Sequence, residues 1–103
     1  MPKPKFSFSE KALEDLADIW EYTFYNWSEN QAEIYYRKLI ETCKTISNQP
    51  SIGQIYPEIA SGIFGFKSGK HIIFYQCIDK KDVLIIRILH ERMDLKSKFY
   101  PQD

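Results

Sequence analysis

The chain has 103 residues, of which 44% are apolar and 16% aromatic, with fourteen Lys/Arg balanced by fourteen Asp/Glu. That composition excludes a disordered chain, and the length suits one domain, residues 1–103, rather than separate catalytic and binding modules. A formal charge of zero argues against a general nucleic-acid or lipid binder, which would carry a basic surplus.

No segment approaches the roughly 18 apolar residues that span a bilayer, so no membrane role is expected. Cys43 and Cys77 lack CxxC spacing and sit among apolar neighbours; they read as small buried thiols of a cytoplasmic protein. Residues 1–50 hold six Lys/Arg and eight Asp/Glu, residues 51–103 eight and six. The first half is mildly acidic and the second mildly basic.

Phe6 and Phe8 flank Ser7 in a short alternating pattern that predicts a first strand. Ser9 then caps a helix, with Glu10 placed at the positive end of its dipole. Leu13, Leu16, Ala17, Trp20, Phe24 and Trp27 recur at helical spacing and predict a core-facing stripe, with Glu10, Glu14, Asp15, Asp18 and Glu21 on a separate acidic face. Ser28 followed by Gln31 has the capping-box spacing of a second helix start. Ala32, Tyr35, Tyr36, Leu39, Cys43 and Ile46 continue that helix to about Asn48, before Pro50 and Gly53 stop it. So short a link between two helices predicts an antiparallel helix hairpin.

After a turn-rich bridge over 50–62, three short apolar runs predict strands at Ile63 to Lys67, His71 to Cys77 and Val83 to His90. Ser68-Gly69 and Asp79 to Asp82 separate them as hairpin turns. The expected fold is α+β, in the order β-α-α-β-β-β, with the helix hairpin packed on an antiparallel sheet. Strict alternation would put Leu84, Ile86 and Ile88 on one face of the last strand and Val83, Ile85, Arg87 and Leu89 on the other. Both sets are largely apolar, yet two helices cover only one sheet face. The open face calls for a partner, a second copy or the chain termini.

Chemistry-bearing residues are sparse. No Ser or Cys sits beside an oriented base, the two histidines and two cysteines lack metal-ligand spacing, and Gly62, Gly65 and Gly69 do not open a helix as a phosphate loop does. No catalytic triad, metal or cofactor is expected. The polar cluster that ends the last strand admits two readings. His90 could act as acid or base while Arg87, Arg92, Lys67 and Lys70 grip a phosphate of RNA. Alternatively His90 caps the strand end, Arg87 and Arg92 pair with Glu91 or Asp94, and Met93 is a soft contact residue.

Arg87-Ile88-Leu89-His90-Glu91-Arg92-Met93-Asp94 resembles the C-terminal signature of the ParE toxins, within the broader RelE/ParE superfamily. The resemblance extends to Ser9 to Trp20, to Trp27-Ser28-Glu29-Asn30-Gln31-Ala32 with Tyr36, to Pro50 with Gly53, and to Gly62 with His71-Ile72-Ile73-Phe74-Tyr75. It implies a bacterial toxin of a type II toxin–antitoxin system, of the kind that stabilises plasmids. A ParD-like antitoxin would neutralise it, and DNA gyrase would be its target. It also implies no direct nucleic-acid binding except through the antitoxin complex.

RelE-like relatives instead cleave mRNA on the ribosome. They place basic or tyrosine side chains where this chain has Ile72 and Glu91, and an apolar group or a carboxylate cannot hold a phosphate. An inactive interaction module that kept the fold is the third reading. Candidate target-binding residues are Arg87, His90, Arg92, Met93 and Asp94, with the tail 95–103. Candidate antitoxin-binding residues are Trp20, Phe24, Tyr36, Ile40, Phe64 and Phe66.

Overall fold

Residues 5–79 and 82–99 are described in a computed structural model. Strand β1 (Lys5–Phe8) leads through Ser9 into α1 (Glu10–Asn26) and α2 (Glu29–Asn48). Both helix starts form as the sequence predicts: Ser9 Oγ accepts from Ala12 N–H and Ser28 Oγ from Gln31 N–H. These side chains satisfy donors that have no partner inside the first helical turn.

A 3-10 turn at Pro50–Ile52 is followed by β2 (Gln54–Ile55), β3 (Phe64–Ser68), β4 (His71–Cys77), β5 (Asp82–His90) and α3 (Leu95–Phe99). The two-residue β2, inside what the sequence presents only as a bridge, pairs with Phe64 and Gly65 of β3. Of the Asp79 to Asp82 turn, residues 80 and 81 lie outside the described residues, as do 100–103 of the tail. Gly69 closes the β3–β4 turn at φ +62°, and a Cβ there would press on the Tyr35 ring. Only glycine meets both demands without strain.

The strands run in the order β1-β5-β4-β3-β2. The last four are antiparallel, whereas β1 joins the edge of β5 in parallel, so the sheet is mixed. A parallel neighbour needs a long crossover. Here the helix hairpin carries the chain across one face to the far edge, and the meander walks back to leave the edge of β5 for β1.

One core lies under the hairpin, where Leu16, Leu39, Cys43 and Ile46 meet Ile73, Tyr75, Val83, Ile85 and Ile88. Each large aliphatic side chain buried there contributes about 1.5–3 kcal/mol. The simple alternation expected of β5 fails at its middle. The pairing jumps from Phe74 with Arg87 to Tyr75 with Ile85, leaving Ile86 as the extra residue of a bulge. Bulges place two residues opposite one and reverse the faces beyond them. Val83, Ile85 and Ile88 consequently share the hairpin face, while Ile86 and Leu89 turn to the other.

That second face is not left open. Ile59 of the bridge and Ile63, which precedes β3 and is not part of it, cover Ile72, Phe74 and Leu89 together with Leu95 and Phe99 of α3, and Phe99 meets Phe74 edge to face at 5.1 Å. Part of the tail therefore works as structure. Two further expectations change. Cys43 is buried, and burial pushes its thiol up to about 12, but Cys77 is exposed. On α1 the buried residues are Ala12, Asp15 and Leu16, whereas Leu13, Phe24 and Trp27 are exposed. Much of the apolar stripe of α1 is therefore surface, and one residue of its acidic face is core.

Candidate docking groove and strand-end cluster

Two regions gather the residues singled out in the sequence. The first is a groove of ≈ 600 Å³ on the outside of the hairpin, with Leu13, Ala17, Trp20 and Phe24 of α1 forming its floor and Tyr36 of α2 a wall. Trp20 and Tyr36 pack edge to face at 6.0 Å and fix the spacing of the two helices. Such an apolar groove, with Glu21 as the one charged residue of its lining, is the kind of surface that receives a partner. Trp20, Phe24 and Tyr36 are brought together here. Ile40 is half-buried and is not part of the lining, and Phe64 and Phe66 lie on β3, packed against the main core.

The second region is the sheet end where the β3–β4 turn meets the end of β5. Tyr35 Oη lies 2.6 Å from His71 Nδ1 and accepts from Lys70 N–H at 3.0 Å. Burial raises the Tyr35 pKa above its ordinary value. It also lowers that of His71 to about 4, with the neighbouring His90 adding to the shift and Asp15 and Glu91 opposing it. His71 and His90 stand directly across the ladder, their rings 5.3 Å apart. His90 Nδ1 accepts from Arg92 N–H at 3.1 Å, which leaves Nε2 as the ring position for a proton. Lys67 Nζ holds Glu91 Oε2 at 2.7 Å, and that hydrogen bond keeps the Glu91 carboxyl below the usual range.

The five target-binding candidates occupy different environments. Arg87 is turned inward onto Asp15, at 15% side-chain exposure, instead of pairing with Glu91 or Asp94. Asp94 caps α3, accepting from Ser97 N–H through Oδ1 and from Ser97 Oγ through its carbonyl. His90 anchors the turn that follows it, with its carbonyl accepting from Met93 N–H. Arg92, Met93 and Asp94 are the three exposed residues of the five, and of these Arg92 and Met93 have no helix-capping role. Among the described residues, no group of three or more His, Cys, Asp or Glu could hold a metal.

Sequence reasoning overlooked Tyr35, His71 and Asp15. For Asp15 a signal was present: an arginine inside an apolar strand needs a carboxylate, because an unpaired buried charge is prohibitively costly. Tyr35 sits on the helical stripe like any core aromatic, and nothing in its spacing shows where its hydroxyl ends.

The comparisons with known proteins agree with this architecture. A family model described as the ParE toxin of type II toxin–antitoxin system, parDE, matches residues 6–95. Toxin ParE1 of Caulobacter vibrioides is 35% identical over 92 residues, covering 89% of this chain and 94% of the relative. Toxin ParE1 of Mycobacterium tuberculosis is 32% identical over 91 residues, covering 88% and 93%.

Among solved structures, a chromosomal ParDE toxin–antitoxin system from P. aeruginosa superposes with a TM-score of 0.72 at 17% identity, over 85% of this chain and 96% of that one. The RelBE2 toxin–antitoxin complex of Mycobacterium tuberculosis gives 0.63 at 20% identity, over 87% and 100%. At such identities these two likenesses speak for the fold. The chain belongs to the family of ParE toxins of type II toxin–antitoxin systems.

Proposed function

We propose that this toxin stops growth by docking onto DNA gyrase, breaking no bond itself, and that a ParD-like antitoxin silences it by covering the helix hairpin. The observation that carries this reading is that three of the side chains a nuclease would use at the strand end are already engaged. His71 is held neutral beside Tyr35, Glu91 neutralises Lys67, and Arg87 is committed to Asp15. A nuclease would need those cations free for phosphate and a second placed proton carrier.

Arg92 and Met93, exposed beside His90 and Asp94, are the groups best placed to meet the target, with Arg87 holding β5 beneath them. Trp20, Phe24 and Tyr36 would carry most of the antitoxin contact, with Ile40, Phe64 and Phe66 supporting the scaffold under it. Gyrase is cytoplasmic, so the toxin would act there. Among the described residues no helix is long and apolar enough to cross a membrane.

RelE-like cleavage of mRNA is the second reading, favoured by the two imidazoles 5.3 Å apart. Induced expression in a growing bacterium separates the two. Filamentation with a DNA-damage response supports gyrase, and immediate arrest of translation supports cleavage. Unimpaired growth would oppose both.

A further inference from the structure

We propose that the imidazoles of His71 and His90 form a two-donor site for a carboxylate, supplied by an acidic segment of the target protein; this rests on reading the strand-end cluster as the target surface. The hydrogen bonds around the two rings carry the inference. His71 and His90 are directly opposed in the β4–β5 ladder, so both side chains leave the same face of the sheet. Their rings meet edge to face at 5.3 Å. Each ring has its Nδ1 occupied by a neighbour. The Tyr35 hydroxyl has one proton and two acceptors within reach, His71 Nδ1 at 2.6 Å and the Ser68 carbonyl at 3.3 Å. The nearer acceptor takes it, while the hydroxyl oxygen itself accepts from Lys70 N–H. His90 Nδ1 likewise accepts from Arg92 N–H. A neutral imidazole whose Nδ1 accepts carries its proton on Nε2, so the pair presents two N–H donors side by side.

Neither donor is used within the fold. Among the described residues no hydrogen bond ends on either Nε2, and neither atom is sealed from solvent. The surroundings favour an anion. Lys70 precedes one ring and Arg92 follows the other by two residues; both are exposed, and among the described residues neither takes part in a salt bridge. The acids of this end are engaged, Glu91 with Lys67, Asp15 with Arg87 and Asp94 in the cap of α3.

A carboxylate matches this set. Its two oxygens can each accept from one ring while Arg92 or Lys70 supplies the opposite charge. A metal ion needs ring nitrogens with a free lone pair, and both Nε2 atoms carry protons instead. An RNA strand, charged at every nucleotide, would call for more cations than the two left free. The ligand class is therefore an acidic side chain of a protein.

The test uses the full chain without antitoxin and follows the ring nitrogens of His71 and His90 by NMR. The probe is hexaglutamate, with hexaglutamine as its uncharged counterpart and a short RNA of matching length as the nucleic-acid arm. Hexaglutamate should shift the Nε2 resonances of both rings, bind at least about tenfold more tightly than hexaglutamine, and weaken as salt rises. Two changes at one position separate the outer donor from the turn it stands on. His90→Asn keeps an acceptor where Nδ1 stands and loses the donor, so it should melt like wild type and bind hexaglutamate about tenfold more weakly. His90→Gln puts an amide N–H where Nε2–H stood and should bind nearly as tightly as wild type.

Equal affinity for the two peptides, or undiminished binding by His90→Asn, overturns the proposal, as does tighter binding of the RNA at both rings. Supercoiling by purified gyrase reads the target separately, and His90→Asn should inhibit it less than wild type does. If wild type inhibits gyrase and hexaglutamate does not bind, the docking reading survives and the carboxylate site does not. If hexaglutamate binds as expected and gyrase is not inhibited, the site stands and its assignment to that target falls.

Discussion

Asp15 and Arg87, 72 residues apart in the chain, meet in a two-pronged ion pair: Arg87 Nε and Nη2 each donate to a separate Asp15 oxygen at 2.9 Å. The same carboxylate accepts from Ile88 N–H at 2.9 Å. This bond lies just past Ile85, where β1 stops covering the edge of β5, so a helix side chain continues the capping that the strand began. Arg87 Nη1 donates to the Lys98 carbonyl of α3. One arginine thereby ties the hairpin layer to the helix on the opposite face, and its bonds to Asp15 raise its own pKa further.

Asp15→Ala should destabilise the fold by about 3 kcal/mol, because it strands a buried guanidinium and leaves an edge N–H without an acceptor. Urea unfolding measures the loss. Asp15→Leu combined with Arg87→Met should cost clearly less than the sum of the two single changes, which is the mark of a coupled pair.

His71 gives stability a pH dependence of defined sign. Its folded pKa of about 4 lies below the ordinary 6.5, so between those values the unfolded chain binds the proton and the folded chain resists it. Stability contributed by the neutral ring is complete above about 6.5 and is lost as pH falls toward 4. The ring is partly solvent-screened, so the loss should be about 1–2 kcal/mol, well short of the full shift. Comparing urea midpoints of wild type and His71→Asn across that window should show the difference between them narrowing as pH falls.

Groove and core aromatics should separate docking from folding. Phe24→Ala should weaken antitoxin binding by about tenfold or more, the cost of losing an interface anchor, and shift the melting temperature little, whereas Trp20→Ala also removes the contact with Tyr36 between the helices and should lower both. Phe64→Ala and Phe66→Ala remove side chains packed against the main core and should cost about 2–4 kcal/mol of stability. Calorimetric titration paired with thermal melts distinguishes the two outcomes.

Removing everything after Asp94 takes away Leu95 and Phe99 from the second core and the Lys98 carbonyl from Arg87. A loss of about 2–4 kcal/mol should follow, and toxicity and antitoxin binding should then decline together. Arg92→Ala and Met93→Ala are the cleaner test of the target surface, since both side chains are exposed. They should reduce toxicity without moving the melting temperature.

Much of this architecture was legible in the sequence because local signals dictate it. Ser9 and Ser28 announce both helices, and the apolar runs after Gly62 mark the three long strands. The faces of β5 were not legible, because Ile86 is bulged and a single bulge reverses every inward and outward assignment after it. The cover on the second sheet face stayed one of three alternatives, the chain termini among them, for a different reason. Ile59, Ile63, Leu95 and Phe99 lie in segments too short or irregular to show a period, so their burial is decided by tertiary contact alone. At the candidate site, Trp20, Phe24 and Tyr36 follow from helical spacing, whereas the link of Tyr35 to His71 joins two elements that no local pattern connects.

The direct test of docking without bond cleavage is the supercoiling of relaxed plasmid by purified gyrase with the toxin added. Supercoiling should fall with toxin concentration, persist at a reduced level in the presence of Arg92→Ala, and recover when antitoxin is supplied. Full supercoiling at every concentration, from material that cuts mRNA on translating ribosomes and stops doing so in His90→Ala, would contradict it.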